Sequence, residues 1–225
     1  MISFCPVPRS VIAVLANSYY LIAHDDRTGR SRLHPRATGL GLAAGLLGEL
    51  MLFGRLRAMT GDLYVVSHEP PGDSLAHTLL DLLVAQPQHK EIRTWLAYLS
   101  QDAADQVGER LLRAGVVEPV TRRKLLSAQT LYMPVSPDQR NAAAWESIRL
   151  AEALGRRRSM NLADRVLVAL VVATGLTRYV FFSPQQQRDC MQNMPGIMSS
   201  LPDDLVQLVQ YTEAAVGSAL AAGRR

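Results

Sequence analysis

The sequence predicts a mainly α fold: a single compact helical domain over residues 1–225, arranged around a buried central helix and carrying two or three small β-hairpins. Three observations predict it. Residues 40–56, LGLAAGLLGELMLFGRL, are apolar on nearly every side of a helical projection, and a helix of that kind belongs inside a domain or a membrane. Aromatic residues make up only 6% of the chain while Leu, Val and Ala abound, so the core is one of aliphatic side chains packed between helices. Most other segments repeat their apolar residues at helical spacing, and 225 residues suffice to bury a substantial core.

In the central segment the apolar run is about fifteen residues and holds Glu49, short of the roughly 20 that a membrane-spanning helix needs. It therefore reads as core. Gly41, Ala44, Gly45 and Gly48 form a smooth stripe for close backbone packing, while Leu42, Leu46, Leu50 and Phe53 form a bulky one. Gly54 is placed to end the helix in a left-handed cap.

Taken in order, residues 10–15 read as a short helix capped by Ser10, and residues 19–23 (YYLIA) as a strand. Residues 24–29 (HDDRTG) then form a tight turn. After the central helix, residues 55–58 and 63–67 pair as a hairpin across Thr60-Gly61-Asp62, and Val65-Val66 give it strand character. Asp73 or Ser74 caps a helix over 75–85 that Gln86-Pro87 stops. Ile92, Trp95, Leu96 and Leu99 share one face of a helix over 91–99, and a helix over 102–114 turns Val107, Leu111 and Leu112 inward and ends at Gly115.

Val116-Val117 opens another extended region. Beyond Arg122-Arg123-Lys124, residues 125–135 form a second hairpin around 127–129, its last strand an edge or ended by Pro134. Helices follow over 139–154 and 162–180, the latter beside the central helix. Pro184 and Pro195-Gly196 mark a less regular stretch before an amphipathic helix over 202–221 with Leu205, Leu208, Val209 and Val216 on its apolar face.

Few catalytic chemistries fit this pattern. The five histidines, at 24, 34, 68, 77 and 89, make neither an H-E-x-x-H nor a Cys-His ligand spacing, so no metal or other cofactor is implied. No glycine-rich phosphate loop and no nucleophile elbow is present. His24 beside Asp25 and Asp26 could act as a general base, but in an arginine-rich turn it reads first as solvated. Cys5 and Cys190, with no secretory signal before them, read as free thiols in a reducing compartment, and the protein as cytoplasmic.

The net charge of +4 is concentrated in three clusters, at Arg27 to Arg36, Arg122 to Lys124 and Arg156 to Arg158. Each is either a solvated turn or helix end, or part of a surface for phosphate and anionic lipid. Nucleic acid is the poorer partner, because no stacking aromatics alternate with the arginines and no helix presents a basic recognition face.

Several segments, in this order, resemble the Golgi phosphoprotein 3 family, including its bacterial branch. Residues 25–29 (DDRTG) are similar to its D-D-x-T-G turn, residues 49–56 (ELMLFGRL) to its E-L-A-L-x-G-R-L segment, and residues 71–75 (PGDSL) to its P-T-G-D-x-L-L turn. Gln86-Pro87 with residues 94–100 (TWLAYLS) resembles its Q-P…N-W-I-x-L-L-S helix, and residues 111–117 (LLRAGVV) its L-V-x-x-G-V-L. The resemblance implies a mostly helical domain, no enzymatic activity, and peripheral membrane binding through a phosphatidylinositol 4-phosphate pocket. That pocket's Trp and three Arg correspond here to His34, Ala43, Gln101 and Ala104.

The expected function is thus a non-enzymatic peripheral adaptor for anionic lipid head groups, cytoplasmic or on the inner face of the membrane. Its lipid-facing residues are expected to be Arg32, His34, Arg36, Arg122, Arg123 and Lys124. Leu125, Leu126, Leu131, Tyr132 and Met133 form a hairpin that enters the membrane or joins a second copy. The alternative is a soluble interaction module, a homodimer in one form, that binds a protein partner and no lipid.

Overall fold

The structure, a computed structural model, describes residues 15–124, 127–155 and 160–222. It begins with helix α1 (Leu15–Ala23), all nine residues of which are buried. This corrects the strand expected at 19–23. Tyr19, Tyr20 and Ile22 favour strands, but a segment walled in on every side satisfies its own backbone as a helix and needs no alternation. The helix expected at 10–15 and its cap Ser10 lie outside the described residues.

Helix α2 (Pro35–Leu52) is the central helix, starting five residues earlier than the apolar run. His34 caps it, its Nδ1 accepting from the Arg36 amide at 3.3 Å, and Pro35 occupies the first turn, where no donor is lost. At the other end Gly54, at φ 68°, donates to the Met51 carbonyl while Arg55 donates to that of Leu50, the paired closure of a left-handed cap. Phe53 is therefore a cap residue, 42% exposed, and not part of the bulky stripe. The small-residue stripe does what its spacing suggested: Cβ atoms at Gly41 and Gly45 would strike Tyr19 and Ala16 of α1.

Strands β1 (Leu56–Met59) and β2 (Asp62–Val65) pair antiparallel across Thr60 and Gly61, both at positive φ as a two-residue hairpin of this hand requires. Helix α3 (Ser74–Ala85) is capped by Asp73, which accepts from the Ala76 amide at 2.8 Å. Helix α4 (Ile92–Leu99) buries Ile92, Trp95, Leu96 and Leu99 as its periodicity predicts. Helix α5 (Ala103–Arg113) buries Val107 and Leu111, half-buries Leu112, and closes at Gly115 in the left-handed region.

The second hairpin departs from expectation in register. Strand β3 (Glu118–Lys124) pairs with β4 (Ser127–Met133), Lys124 opposite Ser127, so residues 127–129 lie in a strand and the connection is 125–126. Arg122, Arg123 and Lys124 belong to the hairpin and do not precede it. β4 ends before Pro134, as expected.

Helix α6 (Pro137–Gly155) opens with a reciprocal cap between Ser136 and Gln139. The helix expected over 162–180 is two: α7 (Leu162–Thr174) stops at Gly175, at φ 85°, and α8 (Thr177–Val180) is a single turn. The stretch expected to be irregular is instead helix α9 (Pro184–Ser199), capped by Ser183 and Gln186. Pro195 is exposed there, as is Met191 four residues before it, so the carbonyl that loses its partner can turn to water. Helix α10 (Asp203–Ala222) buries Leu205, Leu208, Val209 and Val216. Around α2 stand α1, α4, α5, α7 and α10. No helix among the described residues is long and apolar enough to cross a membrane.

Candidate functional site

One end of the molecule is built from the arginine-rich turn over residues 24–32. The Asp25 amide donates to the Arg30 carbonyl at 2.9 Å, and the Arg32 amide donates to that of Ala23 at 2.8 Å. Within this loop Asp25 Oδ1 accepts from the Thr28 amide, the Thr28 hydroxyl and the Arg27 amide, at 2.8, 2.9 and 3.2 Å. Partial burial pushes the Asp25 carboxyl up, but those bonds and the charge of Arg32 outweigh it and hold it below its usual value. Arg27 and Arg30 are left exposed at the rim.

His24 anchors the base of the turn. Its ring stacks on Tyr20 at 3.9 Å and its Nδ1 meets the Tyr20 carbonyl at 2.9 Å. Burial, aided by Arg32 and opposed by that carbonyl, lowers His24 to about 4, so it is neutral near pH 7. Stacked on one ring and held to a backbone carbonyl, the imidazole is a structural member of the turn.

The turn lies against the second hairpin. A Cβ at Gly29 would stand 3.0 Å from Met133 Cβ and 3.4 Å from Leu131 Cβ, so only a glycine lets the two backbones run this close. The Tyr20 hydroxyl donates to the Tyr132 carbonyl at 3.0 Å, and the Tyr132 ring covers Gly108 of α5. Leu131, Tyr132 and Met133 are thus half-buried at the base of β4, against the body. Arg122 pairs in register with Gln129, two residues and roughly 7 Å beyond Leu131. The turn that carries the first basic cluster thus packs on β4, the strand paired with the one that carries the second. Leu125 and Leu126 lie outside the described residues, as does the third cluster, Arg156 to Arg158.

Arg32 and Arg36 address different neighbours. Arg32 donates from Nε to the His24 carbonyl at 3.1 Å, reaches Asp26 at 3.9 Å and lies over the Tyr179 ring of α8. Arg36 lines a groove of about 700 Å³ between the start of α2, α4 and the last turns of α10. Arg93 stands on the α4 side, and Leu40, Ala97, Gln101 and Ala215 contribute to the walls. No carboxylate is among the lining residues. Of the four positions that correspond to the family's lipid pocket, Gln101 lines this groove and His34 is exposed beside it, whereas Ala43 is fully buried and Ala104 half-buried.

A second polar site escaped sequence reasoning. Inside the core, Arg110 of α5 forms two hydrogen bonds with Glu49 of α2 and one from Nε to Asn17 of α1, and it reaches Asp73 at 3.2 Å. The Ala16 amide donates to Glu49 at 2.7 Å. Burial pushes Glu49 up against the pull of Arg110, while the two carboxylates outweigh burial at Arg110 and raise it, keeping the guanidinium charged. The available signal was Glu49 itself, since a charge in an apolar helix demands a partner. With every arm of Arg110 engaged, the cluster holds elements together and offers no open position to a ligand.

Among the described residues no three His, Cys, Asp or Glu side chains converge as a metal site, and Cys190 is a buried free thiol pushed up to about 11 by burial. No curated protein matches the chain. The sequence model of the Golgi phosphoprotein 3 (GPP34) family matches residues 15–212, from the first residue of α1 well into α10, including both basic segments and the α2 and α4 walls of the groove. The chain belongs to the Golgi phosphoprotein 3 family.

Proposed function

We propose that this chain is a non-enzymatic peripheral adaptor that meets anionic lipid head groups, a phosphatidylinositol 4-phosphate-type group being the ligand its family implies. The observation that carries the reading is the packing of Gly29 against Leu131 and Met133, which joins the Arg27–Arg30 turn to the hairpin bearing Arg122, Arg123 and Lys124. Cations gathered at one end draw a protein to an anionic surface, each contributing about 1 kcal/mol near it. Arg32 holds the turn in shape, and beyond the α2 cap at His34 the charge continues with Arg36 at the groove. There Arg36 and Arg93 stand in for arginines that Ala43, Gln101 and Ala104 do not supply.

Within the hairpin, Leu131, Tyr132 and Met133 fix its base against the body. Flotation of the full chain with vesicles tests the proposal. Enrichment is expected on vesicles containing phosphatidylserine or phosphatidylinositol 4-phosphate over pure phosphatidylcholine at low salt. Equal recovery from all three contradicts it. Comparing the two anionic lipids at matched charge then tells head-group recognition from attraction to charge alone.

A further inference from the structure

We infer that Phe182, three residues on from Tyr179 and the two arginines on its ring, is an interfacial anchor that enters the head-group layer of an anionic membrane; this rests on the lipid-binding reading above. Phe181 closes α8 in an extended conformation, at φ −103° and ψ 93°, and successive side chains of extended backbone point to opposite sides. Phe181 accordingly enters the core, 0% exposed, and Phe182 points outward, 66% exposed.

The backbone holds it there. Ser183 immediately caps α9 in a reciprocal box with Gln186, and the Gln187 side chain donates to the Phe181 carbonyl at 2.9 Å. A large apolar ring is thus presented to solvent from a fixed position, with little ordering left to lose on contact. Three residues back along the chain the Tyr179 ring carries two guanidinium groups, Arg32 at 5.2 Å and Arg178 at 4.7 Å from its centre. Arg178 also donates to the Tyr179 hydroxyl at 2.7 Å, and that hydroxyl donates to the Arg32 carbonyl at 3.2 Å. Two like charges on one ring repel each other, and the phosphates of an anionic surface relieve that repulsion. An exposed aromatic ring flanked by cations is the composition that settles at the head-group level of a bilayer. Arg32 belongs to the basic turn, so this patch adjoins the end of the molecule already assigned to lipid.

The test uses the full chain and two variants on vesicles of phosphatidylcholine and phosphatidylserine. Trp95 is buried, so a Trp145→Phe background leaves a tryptophan at 182 as the exposed reporter. In that background Phe182→Trp is expected to shift its emission to the blue and to be quenched by lipids brominated on the acyl chain. Phe182→Ser is expected to lower vesicle affinity by roughly tenfold. Wild-type flotation without quenching at 182 overturns the anchor, even where Phe182→Ser binds less, because the ring would then act without entering lipid. It would also point to an acidic protein surface as the occupant. Failure of the wild type to float overturns the lipid reading itself and the anchor with it.

Discussion

The Arg110 guanidinium holds both carboxylate oxygens of Glu49, at 2.9 and 3.0 Å, with the two side chains 6% and 2% exposed. Removing one partner strands the other charge in the core. Glu49→Ala and Arg110→Ala are each expected to cost about 3–5 kcal/mol in denaturant unfolding. The paired replacement Glu49→Leu with Arg110→Met should be more stable than either single variant, although the Ala16 amide then lacks its acceptor. A double variant less stable than both singles would show that the pair is not the unit holding α2 to α5.

The hairpin is seated by a missing side chain. A Cβ at Gly108 would lie 2.4 Å from Cδ2 of Tyr132, so Gly108→Ala forces the ring off α5. We expect a loss of about 1–3 kcal/mol and faster amide exchange at 131–133. The Gly115→Ala variant, strained at its positive φ but with nothing crowding the added carbon, should leave exchange in the hairpin unchanged. Equal exchange in the two variants would separate the hairpin's stability from this contact.

His24 makes the basic turn sensitive to acid. Its value falls from 6.5 in the unfolded chain to about 4 in the fold, so between those limits only the unfolded state takes up its proton. Stability must therefore fall as pH drops through this window, by at most about 1.4 kcal/mol per pH unit and by roughly 3 kcal/mol over the whole of it. His24→Gln should flatten that part of the pH–stability curve. An unchanged slope would mean that other groups set it.

The helical segments with clear periodicity were legible from sequence because one face alone is buried, as in α4 and α10. Glycine caps were equally readable at Gly54 and Gly115, whereas Gly175 was taken inside a longer helix. Complete burial erased the signal in α1, where neither a 3.6 nor a 2.0 period survives and the tyrosines tipped the reading to strand. The hairpin was misregistered for the opposite reason. Residues 122–129 carry mostly polar side chains, and a strand with no apolar face reads as a loop. At the candidate site, the arginines were visible but the packing of their turn on β4 was not, since it depends on Gly29, whose role lies in a contact with residues a hundred positions away. Arg93 and Phe182 drew no notice because an arginine on a helix and a lone phenylalanine are unremarkable until a groove or an exposed position surrounds them.

The groove gives a prediction about selectivity. With Arg36 and Arg93 its lining cations, replacing both by Gln should abolish any preference for phosphatidylinositol 4-phosphate over phosphatidylserine at matched charge. General attraction to anionic vesicles should fall by roughly fivefold per arginine at most. A preference retained in the double variant would place head-group recognition outside the groove.

The most direct measurement is salt-dependent flotation of the wild type beside Arg27→Glu/Arg30→Glu, a change confined to two exposed side chains at the rim of the turn. The account predicts that the wild type floats with phosphatidylserine vesicles at low salt, that raising the salt releases it, and that the charge-reversed protein, folded and equally stable, stays at the bottom of the gradient. Equal flotation of the two proteins at every salt concentration would contradict the assignment of this end of the molecule to lipid.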